Sequence, residues 1–314
     1  METGPDFSGG SEMKSALYLL MMLWIVFLMA AGIAEETPFM ENEYNFVDGS
    51  MDVTGGIPEN VDESLRRIRD SGVLRVATEP YFPPYEFIDP SLEGQEQIVG
   101  SDIELARRIA ERMGVRLELV PLEFTEVLPA VADGVCDLAI SGLAFTPSRA
   151  GQVELSKGYH YTTDNTGSRL LIREEDRERI TSVSDLEKRK IAAQRGSLQE
   201  ALMADNVPLY QEFRRLSTSE EVYEALRNGS VDAIAVDYEN VLAYIEANPD
   251  CGLMVVPGIE FILEPQFDGD RVAGKKGNLI LMYFVNGVID EVLADGTYQK
   301  WFDEYSQVAR QIGQ

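Results

Sequence analysis

Two short turns in the sequence combine serine, glycine and arginine in a way that suits the binding of a small anion. The segment SGLAFTPSR leads from an apolar strand into a helix; it begins at Ser141, continues with Gly142 and ends at Arg149. Glycine lets backbone N–H groups approach a bound anion, and an arginine can donate two parallel hydrogen bonds to one carboxylate. The segment RGSLQ is a similar turn further along, in which Gly196 and Ser197 would offer more N–H donors. These residues predict a carboxylate-binding site.

A complementary acidic group and an aromatic segment would complete such a site. Asp237 ends the apolar strand AIAVD, where a closed cleft would leave its carboxylate poorly solvated unless a cation compensates it. Asp237 together with Arg149 therefore suits a zwitterion, which carries both a carboxylate and an ammonium group. The segment EPYFPPYEF follows the first strand and offers flat apolar walls. We expect Phe82 to contact a ligand, and Tyr85 and Phe87 to pack against their own lobe.

Sequence features of enzymes and metal proteins are missing. The chain has no Gly-rich phosphate loop, no Gly-x-Ser-x-Gly and no Cys-x-x-Cys. Its single histidine, His160, precludes a histidine-cluster metal site, and we expect it at the surface or near a hinge. Cys136 and Cys251 are expected to be small buried hydrophobic residues rather than a disulfide or a metal pair. The sequence therefore predicts no metal, no cofactor and no catalysis.

The elements that would position these residues follow from apolar periodicity. Over residues 73–140, strands and helices alternate in the order β-α-β-α-β, which is typical of a mostly parallel sheet with helices on both faces. The pattern then repeats, and the spacing A-x3-G-x2-D recurs at the same point, ending at Asp137 and at Asp232. Gly142 and Asp237 follow these aspartates at the carboxyl ends of strands, where open α/β sheets bind ligands. We therefore expect two α/β lobes that face each other across one cleft.

The start of the chain differs in composition from the rest. Residues 1–34 contain an uncharged apolar run after Lys14 that ends in small residues, as in a secretory signal peptide. The run is nearly long enough to span a bilayer, so a signal anchor remains an alternative. A start at Met13 would give the signal its usual basic end. Residues 35–60 are acidic and contain glycine and proline, which predicts a flexible tether.

The charge balance makes several partners unfavourable. The 314 residues include 54 Asp and Glu against 27 Lys and Arg, for a formal net charge of −27. Such a field repels nucleic acids and anionic lipid, so the sequence argues against DNA, RNA and polybasic membrane binding. Two interpretations of the charge remain: solubility, as in a saline habitat, and attraction of a cationic solute.

Several motifs occur in one order along the chain and resemble those of the family 3 extracellular solute-binding proteins, the amino-acid-binding components of ABC importers. The motifs are GSDIELA at 100–106, TPSR at 146–149, Gly196-Ser197, G-x2-DA at 229–233 and ADGTY at 294–298. The resemblance runs from about Val73 to about Tyr305. It implies a two-lobed periplasmic-binding-protein-like fold of type II with two hinge crossings. Lobe 1 would comprise residues 61–167 and 272–314, and lobe 2 residues 168–271.

The resemblance also implies roles for residues of the two turns. In such proteins, the arginine that matches Arg149 clamps the α-carboxylate, and the acid that matches Asp237 takes the α-ammonium. The aromatic residue that matches Phe82 stacks on the ligand's side chain. Backbone groups that match Gly142 and Ser197 complete the site.

Two further positions bear on which amino acid would bind. Ala144 stands where the family often has serine or threonine, so a hydroxyl donor to the carboxylate is lost. Glu79 matches a position that is often acidic in members that bind lysine, arginine, histidine or glutamine. An acid there would pair with a cationic terminus or accept from an amide. The expected order is arginine, lysine and histidine first, glutamine close behind, and acidic amino acids last.

The resemblance implies a monomer outside the cytoplasm that delivers its amino acid to a membrane ABC permease by closing the cleft. A dehydratase acting on prephenate or arogenate is one alternative on the same fold, with Glu79 as its general acid. The presence of both Arg149 and Asp237 favours amino-acid capture instead. The ligand-sensing domain of a receptor is a further alternative, which a transmembrane segment or a kinase following the domain would indicate.

Overall fold

The computed structural model describes residues 50–51, 53–55, 61–161, 167–261 and 268–312. The predicted signal segment, residues 1–34, and most of the predicted tether lie outside these ranges. In the part of the chain that is described, no helix is both long and apolar enough to cross a bilayer.

Strands and helices alternate through the first half of lobe 1, as the apolar periodicity predicts. Up to the first crossing the helices and strands are α1 (Glu63–Ser71), β1 (Val73–Thr78), β2 (Phe87–Ile88), β3 (Ile98–Val99), α2 (Ser101–Met113), β4 (Arg116–Pro121), α3 (Phe124–Ala132), β5 (Leu138–Ala139), α4 (Pro147–Gln152) and β6 (Val153–His160). Helix α2 buries Leu105, Ile109 and Met113, and it ends at Gly114, whose φ of 69° lies in the left-handed region that glycine adopts readily.

Lobe 2 repeats the alternation. Its helices and strands are β7 (Ser168–Arg173), β8 (Lys190–Gln194), α5 (Leu198–Asn206), β9 (Glu212–Leu216), α6 (Ser219–Arg227), β10 (Ala233–Asp237), α7 (Tyr238–Ala247) and β11 (Leu253–Phe261). Helix α6 begins in a capping box, because the Thr218 hydroxyl accepts from the Glu221 N–H while the Glu221 carboxylate accepts from the Thr218 N–H. The chain then returns to lobe 1 as β12 (Asp270–Lys275), α8 (Leu279–Ala294) and α9 (Thr297–Ile312).

Each lobe is built on a five-stranded sheet in which three neighbouring strands at one side run parallel. The strand order is β4-β1-β5-β12-β6 in lobe 1 and β11-β7-β10-β8-β9 in lobe 2. In lobe 1, β1 runs parallel to β4 and β5, and in lobe 2, β8 runs parallel to β9 and β10. The antiparallel strands β6 and β12 of lobe 1 and β7 and β11 of lobe 2 flank the two crossings. The structure thus has the predicted two-lobed α/β fold.

Each sheet packs its helices over a core of its own. In lobe 1, Val127 and Val131 of α3 are fully buried against Ala77 and Ala139 of the sheet. In lobe 2, helices α6 and α7 bury their apolar faces on β8 and β10. Full burial of one branched apolar side chain stabilises the folded state by about 1.5–3 kcal/mol. Since each lobe has its own core, this stabilisation does not depend on contacts across the cleft.

The sheet assignment locates both crossings between the lobes. The first lies between His160, which ends β6, and Ser168, which begins β7; the second lies between Phe261 and Asp270. Strand β12, which belongs to the sheet of lobe 1, begins at Asp270, two residues before the predicted resumption of lobe 1 at residue 272. Much of each crossing, residues 162–166 and 262–267, lies outside the described ranges.

Part of the segment predicted as a flexible tether is packed on lobe 1 instead. Met51 and Val53 are buried, and the Met51 N–H donates to the Tyr283 carbonyl of α8 at 3.0 Å. Gly287 of α8 lies against the Met51 carbonyl, where a β-carbon would collide. The lack of a side chain at Gly287 is what lets this segment lie so close to the helix.

Candidate functional site

The carboxyl ends of the parallel strands of both lobes border one cleft, whose volume is about 800 Å³ including its open mouth. It is lined by eight of the nine residues that the sequence singled out, namely Glu79, Phe82, Ser141, Gly142, Ala144, Arg149, Ser197 and Asp237. The ninth, Gly196, contributes a carbonyl oxygen that accepts a hydrogen bond from Arg149. The strand-end rule accounts for this convergence, because β1 and β5 of lobe 1 and β8 and β10 of lobe 2 all end there.

Arg149 enters the cleft from the first turn of α4. Thr146 caps this helix by accepting from the Arg149 N–H at 3.1 Å, and Pro147 at the first helical position fixes the backbone. The Arg149 guanidinium donates to the Ala144 carbonyl at 2.7 Å and to the Gly196 carbonyl at 3.2 Å. Only 6% of Arg149 is exposed, and burial lowers its pKa to about 10. Its hydrogen bonds go to neutral carbonyls, so an incoming carboxylate would gain a desolvated cation as its partner.

The predicted backbone donors are engaged differently from expectation. The Gly142 N–H donates to the Asp102 carboxylate at 2.9 Å, and the Gly196 N–H donates to Glu200 at 2.7 Å. The Ser197 N–H donates to the Gln194 carbonyl at 3.2 Å. These three N–H groups therefore stabilise the turns themselves. Leu198 and Gln199, in the first turn of α5, line the cleft, and their N–H groups lack intrahelical acceptors, so they are better placed to bind a carboxylate. The Glu200 N–H of the same turn donates to the Ser197 hydroxyl instead.

Gly142 matters because of its backbone conformation and the lack of a β-carbon. Its φ is 51°, which is costly for other residues, and a β-carbon there would lie 2.9 Å from the Phe82 ring. Phe82 stacks on Tyr85, with 5.2 Å between ring centroids. Tyr85 is 3% exposed, so it packs within its lobe as expected, yet it also reaches the cleft wall. The aromatic wall is therefore a stacked pair rather than Phe82 alone.

Glu79 directly follows β1 and lies deep in the cleft, with 1% of its surface exposed. Its backbone N–H donates to the Ser141 hydroxyl at 3.0 Å, and its carboxylate accepts from the Gln194 amide at 2.9 Å. Because Gln194 belongs to lobe 2, this hydrogen bond joins the two lobes. Burial raises the pKa of Glu79 to about 8, and the hydrogen bond from Gln194 offsets this only in part.

Two more buried carboxyls lie behind Glu79, and sequence reasoning did not select either. Glu86 and Asp102 are both 0% exposed. The Ser141 hydroxyl donates to Glu86 at 3.0 Å, while Asp102 accepts from the hydroxyls of Tyr159 at 2.7 Å and Tyr298 at 3.1 Å. Burial raises the pKa of both carboxyls. In the sequence, Asp102 was noted only as part of the GSDIELA motif, and Glu86 only as part of the aromatic segment EPYFPPYEF.

Other cleft residues were also missed or placed differently. Phe124 lines the cleft and lies under the Arg149 guanidinium, 5.6 Å from ring centroid to Cζ. Its position just after the carboxyl end of β4 was the signal that could have identified it. His160 is 7% exposed and stacks on Phe302 with 4.3 Å between centroids, so it is a buried cleft residue at the edge of the crossing rather than a surface one.

Asp237 ends β10 and lines the cleft from lobe 2, whereas Arg149 lines it from lobe 1. The site thus brings together a buried cation at Arg149, acidic groups at Asp237 and Glu79, and aromatic rings. Within the described residues, no group of histidine, cysteine and acidic side chains could hold a metal ion. Over the same residues, Cys136 and Cys251 are free thiols.

The comparisons with known proteins agree on one family. Residues 74–308 match the family described as bacterial extracellular solute-binding proteins, family 3. The chain is 26% identical over 228 residues to the ABC transporter arginine-binding protein 1 of Escherichia coli (strain K12), covering 71% of this chain and 86% of that protein.

Two solved structures show a similar fold. The first is an amino acid ABC transporter substrate-binding protein from Streptococcus pneumoniae bound to L-arginine, with a TM-score of 0.69, 29% identity, and coverage of 78% of this chain and 98% of that one. The second is an ancestral amino acid-binding protein, a precursor of cyclohexadienyl dehydratase, with a TM-score of 0.66, 27% identity, and coverage of 77% and 99%. The family match spans both lobes and the cleft between them, so this chain belongs to the bacterial extracellular solute-binding proteins, family 3.

Proposed function

We propose that this protein captures an L-amino acid with a cationic or amide side chain between its lobes and delivers it to a membrane ABC permease. The observation that carries the proposal is the meeting of Arg149, Asp237 and Glu79 in one cleft. Arg149 would bind the α-carboxylate, and Asp237 would bind the α-ammonium. Glu79 would then face the end of the side chain, with Phe82 and Phe124 against its carbon atoms.

The order of ligands follows from the acidic residue at the side-chain end. A guanidinium or ammonium would pair with the Glu79 carboxylate, and a neutral amide could hydrogen-bond to either protonation state of it. A second carboxylate would meet repulsion from Glu79 and from the acids behind it. The arginine-binding names of the E. coli relative and the S. pneumoniae structure support the same order. We therefore place arginine first, with lysine and histidine, then glutamine, and acidic amino acids last.

A thermal-shift screen of the twenty amino acids against residues 50–314 tests this function. A ligand present at 100 times its Kd adds about 2.7 kcal/mol to the free energy of unfolding, which is readily detected. We expect arginine to raise the Tm most and glutamate least. No shift with any amino acid would contradict the proposal, and a large shift with glutamate would contradict the ligand order alone.

Delivery to a permease requires a change of shape that a transporter can sense. The bonds Glu79–Gln194 and Arg149–Gly196 join the lobes directly, so the conformation described here is a closed one. We expect the free protein in solution to be a monomer that opens at the crossings. Size-exclusion chromatography with X-ray scattering should show one chain per particle and a smaller radius of gyration with ligand than without. An unchanged radius at saturation would argue against cleft closure.

A dehydratase is the second candidate, and one observation favours it. A carboxyl with a pKa of about 8, like that of Glu79, is protonated at neutral pH and could protonate a leaving hydroxyl. The similarity to a precursor of cyclohexadienyl dehydratase points the same way. Phenylpyruvate formation from prephenate, measured with the wild-type chain and with Glu79→Gln, decides between the functions. Turnover that depends on Glu79 would establish the enzyme; we expect none.

A further inference from the structure

Three carboxyl groups lie together at the inner end of the cleft, on three separate segments of lobe 1. Glu79 directly follows β1, Glu86 lies in the aromatic segment that comes next, and Asp102 lies in the first turn of α2. The Ser141 hydroxyl links the first two, because it accepts from the Glu79 N–H at 3.0 Å and donates to the Glu86 carboxyl at 3.0 Å. The exposed fractions are 1% for Glu79 and 0% for the other two.

Every donor that the described residues offer to this carboxyl cluster (Glu79, Glu86 and Asp102) is electrically neutral. The donors are the Gln194 amide, the Ser141 hydroxyl, the Gly142 N–H, and the hydroxyls of Tyr159 and Tyr298. None of the ion pairs among the described residues includes a member of the cluster. Three buried carboxylates without a cation would each bear the full cost of desolvation and would repel one another. The cluster must therefore hold protons.

The contact between Glu86 and Asp102 places one of these protons. A hydrogen bond between their carboxyl groups contributes to the raised pKa of Glu86 and opposes the rise in the pKa of Asp102. Two carboxyl groups can share a hydrogen bond only if one of them is protonated. The second oxygen of Glu86 has no donor in the described part of the chain. Asp102 already accepts three hydrogen bonds, which favour its charged form. The proton between them therefore belongs to Glu86, whose side chain is 0% exposed.

Glu79 is the member of the cluster that a ligand's side chain can approach, so a bound ligand can change its protonation state. We propose that Glu79 is protonated in the ligand-free closed cleft and that a cationic amino acid occupies this cleft in exchange for the proton. On binding, the O–H bond of Glu79 breaks, the proton passes to the solvent, and the carboxylate pairs with the ligand's cation. Glu86 keeps its own proton, since a newly charged Glu79 holds it more tightly. This inference rests on the proposed function, because it describes how the same site selects its ligand.

Other ionisable groups in the cleft could also contribute to a pH dependence of binding. Arg149 from α4, His160 at the end of β6, Asp237 from β10, and Asp268 and Asp270 at the return to lobe 1 line the same cleft. These groups contribute equally to the pH dependence of binding for a charged and a neutral ligand, provided that the two ligands share the same α-carboxylate and α-ammonium. A comparison of arginine with citrulline, which carries a neutral urea group in place of the guanidinium, therefore isolates the contribution of Glu79.

The direction and size of the pH effect follow from the charge state. Only the ionised form of Glu79 pairs with a guanidinium, so arginine affinity falls as pH falls below the pKa of Glu79. With the pKa of about 8 that Glu79 has in the closed cleft, arginine should bind to that form about 50-fold more weakly at pH 6 than at pH 8. Citrulline can accept a hydrogen bond from protonated Glu79, so its affinity should change by less than about threefold over that interval.

Isothermal titration calorimetry at pH 7 in phosphate and in Tris counts the released protons, since the two buffers differ in their heat of ionisation. We expect arginine to release about 0.9 proton, from a pKa of about 8, and citrulline to release none. Glu79→Gln should abolish the release with arginine. Glu187→Gln, the same change at an exposed acid of lobe 2, should leave it intact.

The possible outcomes separate the two proposals. Arginine binding without proton release, or equal release with citrulline, would overturn the proton exchange and leave amino-acid capture standing. Failure of every amino acid to bind would overturn the proposed function itself. If Glu79→Gln does not fold, the difference between arginine and citrulline on the wild-type protein still decides the question.

Discussion

Removal of the buried arginine should abolish ligand binding without weakening the free protein. Burial lowers the pKa of Arg149 from 12.5 to about 10, which corresponds to a cost of about 3 kcal/mol for the charged form in the folded state. Arg149→Met removes this cost and keeps a side chain of similar length. It also removes the hydrogen bonds to the Ala144 and Gly196 carbonyls, each worth about 1 kcal/mol net. The free energies nearly cancel, so we expect the Tm of the ligand-free variant to equal or exceed that of the wild type.

Binding should respond very differently to the same change. A guanidinium that donates two charge-assisted hydrogen bonds to a carboxylate contributes about 3–6 kcal/mol, which is roughly a 10²- to 10⁴-fold change in Kd. Scanning calorimetry without ligand and titration calorimetry with arginine measure the two effects separately. Arg116→Met, at an exposed arginine of β4, is the matched control and should change neither. Arg149→Met that melts several degrees lower would show a structural role, and arginine binding within tenfold of the wild type would refute the carboxylate assignment.

Three other substitutions test separate parts of the site. Asp237→Asn should weaken amino acids at least tenfold more than their des-amino analogues in titration calorimetry, whereas equal weakening would remove Asp237 from the ammonium site. Asp102→Asn leaves one of three donors without an acceptor and should cost about 1–3 kcal/mol in urea unfolding, with exposed Asp303→Asn as the control; an unchanged unfolding midpoint would contradict this. Gly142→Ala adds a β-carbon 2.9 Å from the Phe82 ring at a φ of 51° and should lower arginine affinity at least tenfold. The control Gly151→Ala, in open space, should not change the affinity. Wild-type affinity in Gly142→Ala would show that the Phe82 ring can move aside.

The sequence predicted the residues that lie at strand ends, because their positions depend on local order. Apolar periodicity located β5 and β10, and the strand-end rule then placed Gly142 and Asp237 on the cleft. The family resemblance added the roles of Arg149 and Glu79, which remain predictions for this chain. The two-lobed fold and the family are confirmed by the structure and the comparisons.

The buried partners of these residues could not be predicted in the same way. Glu86 and Asp102 lie next to each other only because the aromatic segment folds back over the start of α2, where the Asp102 N–H donates to the Tyr85 carbonyl at 2.9 Å. Gln194 meets Glu79 only when the lobes close. Such contacts join residues far apart in the chain, and neither periodicity nor spacing carries information about them. The acceptor of the Gly142 N–H, the Asp102 carboxylate, was unforeseen for the same reason, whereas the acceptors of the Gly196 and Ser197 N–H groups lie within four residues in the chain.

The topology of lobe 1 has a consequence for how the chain is made. Strand β12 lies between β5 and β6 in the sheet, yet it follows the whole of lobe 2 in the chain, and Tyr298 of α9 reaches Asp102 only after that. Lobe 2 draws all five of its strands from one continuous stretch. During synthesis from the amino end, lobe 2 can complete its sheet while lobe 1 still has a gap beside β5 with unpaired backbone groups. A partly made chain therefore exposes its unfinished lobe until almost the last residues have emerged, and this is the interval in which it most needs protection from aggregation.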